Sequence, residues 1–247
     1  MRLIICKVAG HRYFDLQNIY SRFPPTYKRF HDIRGGGGEI LLSKQHDVEY
    51  ECLNDYNPHF YHLYFDIKHT PSAFRLSVDF VPESGHLFAI NMRTKFWGRR
   101  GGSRSCEEGV QEGSSWYDAS KLNFMVRNLS VNGNCWQYSP VAAKYYTDRV
   151  RSIDLIGERL KNVTVDSLSV GTYLEKPLTQ DDFVVINLPT KDTLQRDFKM
   201  SKREYQEAVG ACLMSDAKIM VIHEQPEEYF SNWSQSVGST YTISTNY

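Results

Sequence analysis

Phe60–Trp97, FYHLYFDIKHTPSAFRLSVDFVPESGHLFAINMRTKFW, is the stretch on which the fold reading turns. Phe74, Leu76, Val78 and Phe80 alternate with Arg75, Ser77 and Asp79, the period of a strand with one face on a core and one in water. Phe88, Ile90 and Met92 repeat the pattern. Between the two runs, Val81-Pro82-Glu83-Ser84-Gly85 reads as a reversal, because Pro presets φ and Gly accepts positive φ. Tyr61, Leu63, Phe65 and Ile67 add a third apolar face before Pro71. The stretch therefore predicts consecutive antiparallel strands, and no catalytic motif lies within it.

Further strands are expected on either side. Arg2–Val8 reads as a first strand, and Lys121–Leu129 as another with Leu122, Phe124 and Val126 inward. Asn132-Gly133 marks a hairpin turn, Ser152–Val170 supplies short strands, and Phe183–Ile186 is apolar on both faces, as a fully covered central strand would be. Strands that follow one another with little helix between them predict an α+β, mainly β chain built as an antiparallel β-sandwich. One helix is well marked. Ser201 and Glu204 form a capping box, and Tyr205, Ala208, Val209, Cys212 and Leu213 make one apolar stripe, so an amphipathic helix is predicted over 201–214, followed by a strand at Ala217–Ile222.

With no long linker and no fixed-period repeat, residues 1–247 are expected to form a single β-rich domain. Leu16, Ile19, Tyr20 and Phe23 fall at helical spacing before Pro24-Pro25, so residues 1–30 read either as packed core or as an N-terminal helical arm. Residues 225–247 form a polar, aromatic tail suited to assembly contacts. Apolar residues make up 41% and charged residues 23%, which excludes a disordered chain, and the apolar runs are too short to cross a bilayer. No membrane partner is expected, and the expected location is the cytosol. Five scattered cysteines without a CxxC argue for reduced thiols.

Candidate chemistry is sparse. Gly35–Gly38 lacks both the Lys-Ser/Thr of a nucleoside-triphosphate loop and the spaced glycines of a dinucleotide loop. His59 and His62 would point to opposite faces of a strand, and Asp55, Asp66 and Asp79 show no catalytic pairing, so no metal and no catalytic residue is assigned and no enzyme is expected. The strongest charge cluster is Arg93, Lys95, Arg99, Arg100 and Arg104 around Trp97. Those cations suit phosphate and the indole suits a stacked base, which makes the loop a candidate nucleotide or nucleic-acid site, with neutralisation by Glu107, Glu108 and Glu112 in the same loop as the alternative.

Lys+Arg and Asp+Glu both number 29, and the chain carries 16 tyrosines. Zero net charge favours association, and tyrosine suits contact surfaces while remaining a latent acid.

Val78-Asp79-Phe80-Val81-Pro82-Glu83-Ser84-Gly85 into Ile90-Asn91-Met92-Arg93-Thr94-Lys95 resembles the middle of cypovirus polyhedrins. The closing order of helix 201–214, strand 217–222, His223, Pro226, Tyr229 and Thr242–Tyr247 is similar to theirs as well. The resemblance implies the crystalline matrix of viral occlusion bodies in the cytoplasm of an infected host cell. It implies a sandwich fold, homotrimers packed into a lattice, embedded virus particles as partners, dissolution in alkali, no required cofactor and a nucleotide at lattice contacts. Tyr138, Tyr145, Tyr146, Tyr229, Tyr241 and Tyr247 are the candidates for alkaline sensing and assembly, with dissolution expected between about pH 10 and 11. The alternative expectation is a cytosolic nucleic-acid-binding protein using the Arg93–Arg104 loop.

Overall fold

A computed structural model describes residues 3–5, 16–45, 47–79, 116–131, 134–188, 200–223, 228–237 and 241–247. The chain divides into two compact units, residues 1–9 with 57–162, and residues 10–56 with 163–247. Residues 57–162 of the first unit thus interrupt the second in sequence, while 1–9 precede it.

The second unit carries the sheet. Its elements in chain order are α1 (Leu16–Tyr20), β1 (Arg29–Ile33), α2 (Glu39–Ser43) and β2 (Tyr50–Asn54), then after the insertion β5 (Thr164–Asp166), α8 (Val170–Leu174), β6 (Asp182–Asn187), α9 (Lys202–Met214), β7 (Lys218–His223), β8 (Ser234–Val237) and β9 (Thr242–Thr245). The seven strands lie in the order β5-β2-β1-β6-β7-β9-β8. β1, β2, β5, β6 and β7 pair in parallel, and only β9 runs against its neighbours β7 and β8. This corrects the sandwich: the unit is an α/β fold around a mostly parallel sheet. Phe183–Ile186 is covered on both faces as read, with all four residues fully buried, but such coverage is what helices on both sides of a parallel sheet produce.

On one face Ile33, Cys52, Val184, Ile186, Ile219 and Val221 pack with Tyr173 of α8 and with Tyr205, Ala208, Val209 and Cys212 of α9. The other face holds an aromatic cluster in which Phe23, Phe30 and Tyr27 all contact Phe183 at centroid distances of 4.7, 5.6 and 5.1 Å. Helix α9 begins as expected: Ser201 Oγ accepts from Glu204 N at 3.1 Å while Glu204 Oε2 accepts from Ser201 N at 2.7 Å. α1 likewise stands where residues 16–20 were read as helical, and its Ile19 is buried.

The first unit is helical where strands were expected. α3 (Pro58–His69) replaces the predicted strand at Tyr61–Ile67, α4 (Pro71–Val78) replaces the one at Phe74–Phe80, α5 (Trp116–Leu129) replaces the one at Lys121–Leu129, and α6 (Pro140–Arg151) and α7 (Ile153–Leu160) follow. The reasons are local. Pro58, Pro71 and Pro140 each occupy the first turn of a helix, where a missing N–H costs nothing, and Asn57 and Ser139 cap two of these helices by accepting from His59 N and Ala142 N. Phe60, Leu63, Tyr64 and Ile67 are the buried positions of α3, at i, i+3, i+4 and i+7, whereas Phe65 is 42% exposed. In α4 Phe74 and Val78 are buried one turn apart, and Leu76 faces water. β3 (Ser130–Val131) and β4 (Asn134–Tyr138) pair antiparallel, and the turn expected at Asn132-Gly133 lies outside the described residues. Leu3–Ile5 is not strand. The strands predicted at Phe88–Met92 lie outside the described residues.

Candidate functional site at the carboxyl ends of the parallel strands

β1 and β6 are neighbours, yet β1 is followed by β2 on one side and β6 by β7 on the other. An open α/β sheet leaves a crevice at such a switch point, beyond the carboxyl ends of the strands, because the two connecting segments depart in opposite directions. The residues delivered there are Arg34–Gly38 after β1, Asp55 after β2, Asn187 at the end of β6, and Met200–Glu204 at the start of α9.

The turn after β1 is tightly wound. Arg34, Gly36 and Gly38 take φ of 58°, 54° and 71°, in the left-handed region that glycine enters freely. Gly35 is required by space, since a Cβ there would lie 2.5 Å from Leu53 Cδ1. Arg34 N donates to Asn54 O at 2.8 Å, which carries the β1–β2 pairing one step into the turn. Gly36 N donates to Asp55 Oδ2 at 3.0 Å, Gly38 N to Gly35 O at 2.8 Å, and Leu41 N to Asp32 Oδ2 at 3.2 Å. Asp55 is itself fixed from the next strand over. Its N–H donates to Asp166 O at 3.1 Å, and the neighbouring Asn54 side chain exchanges two hydrogen bonds with the Leu168 backbone at 2.8 and 2.9 Å.

Asp32, Glu39 and Asp55 are all buried. Desolvation pushes the Asp32 carboxyl up to about 7, and Asp55 adds to the rise while the Leu41 N–H opposes it. Burial also lowers the Arg34 guanidinium, against the pull of Asp55 and Glu204. Three carboxyl groups against one guanidinium, with the amides of Arg34, Gly36 and Gly38 already bonded to a carboxylate or carbonyl oxygen, is a poor receptor for a pyrophosphate and a good one for a neutral or cationic ligand. The acid twenty residues after Gly35 occupies the position from which a carboxylate reaches ribose hydroxyls in nucleotide-binding sheets of this kind.

Of the residues weighed from sequence, the structure brings Gly35–Gly38 and Asp55 to this crevice. Arg93, Lys95, Trp97, Arg99, Arg100 and Arg104 lie outside the described residues. Tyr138 belongs to β4, and Tyr145 is exposed on α6. Tyr146 is buried and donates to Val78 O at 2.9 Å; burial holds its phenol far above the ordinary value. In the second unit Tyr229 is exposed, Tyr241 accepts from Asn18 Nδ2 at 3.1 Å, and Tyr247 donates to Arg22 O at 2.8 Å with its phenol also raised by burial. His59 and His62 sit on helix α3, not on a strand. Among the described residues no group of three His, Cys, Asp or Glu is placed to hold a metal, and no helix is long and apolar enough to cross a membrane. Sequence reading passed over Asp32 and Arg34 and assigned Asp55 no role. The available signal was the acid-to-glycine spacing. No protein-family model matches the chain, and no curated protein matches it in sequence.

Proposed function

We propose that the second unit binds S-adenosylmethionine and transfers its methyl group, and that the inserted unit contributes nucleic-acid binding through the segment Arg93–Arg104. The observation that carries the donor is the pair of bonds from Gly36 N to Asp55 and from Leu41 N to Asp32, which leaves carboxylates where a dinucleotide would need free amides. Two features support it. Numbered within the sheet, the strands run 3-2-1-4-5-7-6 with the seventh antiparallel, an order shared by S-adenosylmethionine-dependent methyltransferases; this is a fold-level analogy. α2 is also only five residues long, too short to present a phosphate-binding helix terminus.

In this reading Asp55 accepts the ribose hydroxyls and the buried acids favour the sulfonium. Asn187 follows the Ile33–Ile186 pair along β6, as Arg34 does along β1, and its amide oxygen suits an acceptor N–H. The acceptor lone pair attacks the methyl carbon, the C–S bond breaks, and its electrons leave with the neutral thioether. The acceptor proton passes to solvent. Arg93, Lys95, Arg99, Arg100 and Arg104 supply phosphate contacts and Trp97 a stacking face for the nucleic acid.

Isothermal titration of the full chain with S-adenosylmethionine, S-adenosylhomocysteine, NAD and ATP tests the donor. The first two are expected to bind, and Asp55→Ala to weaken them at least about tenfold, the worth of one charge-assisted hydrogen bond. Binding of NAD or ATP in preference overturns the reading. Transfer of labelled methyl to DNA or RNA, falling with salt and with neutralisation of Arg99 and Arg100, tests the acceptor.

The occlusion-body matrix remains the competing proposal, supported by zero net charge and 16 tyrosines. It requires refractile intracellular particles that dissolve near about pH 10 to 11, where tyrosine and lysine titrate. A soluble chain that binds the methyl donor excludes it.

A further inference from the structure

Arg34 is out of place in its turn. It is flanked by four glycines on its C-terminal side, yet the first left-handed position, φ 58°, is held by a residue with a Cβ and a long charged side chain. A glycine would take that backbone without strain. The guanidinium is drawn into the protein: Nη1 lies 3.6 Å from Met200 Sδ, and the carboxylates of Asp55 and Glu204 both act on it. Asp55 follows β2 and Met200 and Glu204 belong to the segment entering α9, so the side chain spans the switch point from the side of the glycine turn to the side of the post-β6 connection.

That span is the path the amino-acid tail of the donor must take. Its ribose is held at Asp55 on the β2 side, and its sulfur must reach the acceptor beside Asn187 on the β6 side. A tail lying between them bears a carboxylate, and a planar, permanently charged guanidinium is the group best shaped to receive one in a forked pair. The acids around the turn suit the sulfonium and repel the carboxylate, so the half-buried Arg34 cation must offset them for that end of the ligand. We infer that Arg34 is the residue that recognises the carboxylate of the donor's amino-acid tail and so selects full-length S-adenosyl compounds over nucleosides lacking it. This rests on the donor reading given above.

The test is a binding series on the full chain with S-adenosylhomocysteine, its decarboxylated analogue S-adenosyl-3-thiopropylamine, and 5′-methylthioadenosine, for the wild type, Arg34→Gln and Arg34→Lys. The wild type is expected to prefer S-adenosylhomocysteine over the decarboxylated analogue by about tenfold to a hundredfold, the range of a charge-assisted pair. Arg34→Gln is expected to bring that ratio close to one while leaving affinity for 5′-methylthioadenosine within about threefold of wild type, and Arg34→Lys to restore part of it. Retained 5′-methylthioadenosine binding shows that the variants are folded. A wild-type ratio near one, or a ratio unchanged by Arg34→Gln, overturns the inference and leaves donor binding standing. Failure of all three compounds to bind the wild type overturns both.

Discussion

Asp182 and His31 are joined on adjacent parallel strands by a 2.9 Å bond between Oδ1 and Nε2, and the same carboxylate receives Arg29 Nε and Nη2 at 2.7 and 2.6 Å. Thr179 adds its backbone N–H at 2.7 Å, and the other ring nitrogen of His31 meets the Tyr173 hydroxyl at 2.9 Å. Burial alone would raise the Asp182 carboxyl, but Arg29, Thr179 and His31 together hold it well below the usual range. Burial, against the pull of Asp182, lowers His31, so the neutral ring donates from Nε2 and accepts at Nδ1. These groups sit at the amino ends of β1 and β6, opposite the crevice, and serve stability.

Asp182→Asn is therefore expected to cost about 3 kcal/mol in urea denaturation at neutral pH, because it strands Arg29 and His31 without their carboxylate. Its folded carboxyl lies below the unfolded one, so the stabilisation is present above the unfolded pKa of about 3.9 and fades as pH falls below it. A loss under about 1 kcal/mol, or one independent of pH in the acid range, contradicts this account.

Asp32 acts in the opposite sense. Its folded carboxyl stands at about 7 against 3.8 unfolded, so the native state holds the extra proton in that window and stability falls as pH rises through it. Asp32→Asn keeps an oxygen for the Leu41 N–H and removes the ionisation. The variant is expected to gain up to about 4 kcal/mol at pH 8 relative to wild type and to show no such gain near pH 4, measured by chemical denaturation at both. An equal effect at both pH values argues against a raised carboxyl.

Two helical glycines should respond oppositely to alanine. A Cβ on Gly157 would lie 2.5 Å from Pro71 Cβ and 2.9 Å from Ile67 O, whereas one on Gly210 meets nothing within 4 Å. Gly157→Ala is expected to destabilise by about 1 to 3 kcal/mol through overpacking, and Gly210→Ala to stabilise by about 0.5 to 1 kcal/mol through helix propensity. Thermal unfolding of the two variants decides both signs.

Ser201→Ala removes one half of the reciprocal cap and is expected to cost about 1 kcal/mol, with amide exchange rising in the first turn of α9. Uniform exchange across the helix would mean the cap does not govern that end.

The parts of this molecule legible in sequence are those where one local signal acts alone. Ser201 and Glu204 cap α9 whatever surrounds them, and the unbroken apolar run Phe183–Ile186 has to be covered on both faces. α3 and α4 were misread because their residues satisfy two periods at once. Leu63 and Ile67 fit both an alternating strand and a helical stripe, and Tyr61, Phe65 and Leu76, which tipped the reading toward strands, are not in the core. Pro58 and Pro71 carried the deciding signal, since each opens a helix. The crevice was hidden for a different reason: Asp32, Arg34 and Asp55 become a site only once β1, β2 and β6 lie side by side, and β6 begins more than a hundred residues after β2 ends.

That separation has a modular consequence. The chain leaves the second unit after Tyr56 and re-enters it at Val163, and the two margins are already tied together by Asp55 N to Asp166 O at 3.1 Å. β5 pairs in parallel with β2, Thr164 beside Cys52 and Asp166 beside Asn54, so the excursion starts at the carboxyl end of β2 and closes at the amino end of β5. Because the strands themselves fix that register, the excursion between them can change in length or content without moving Asp55.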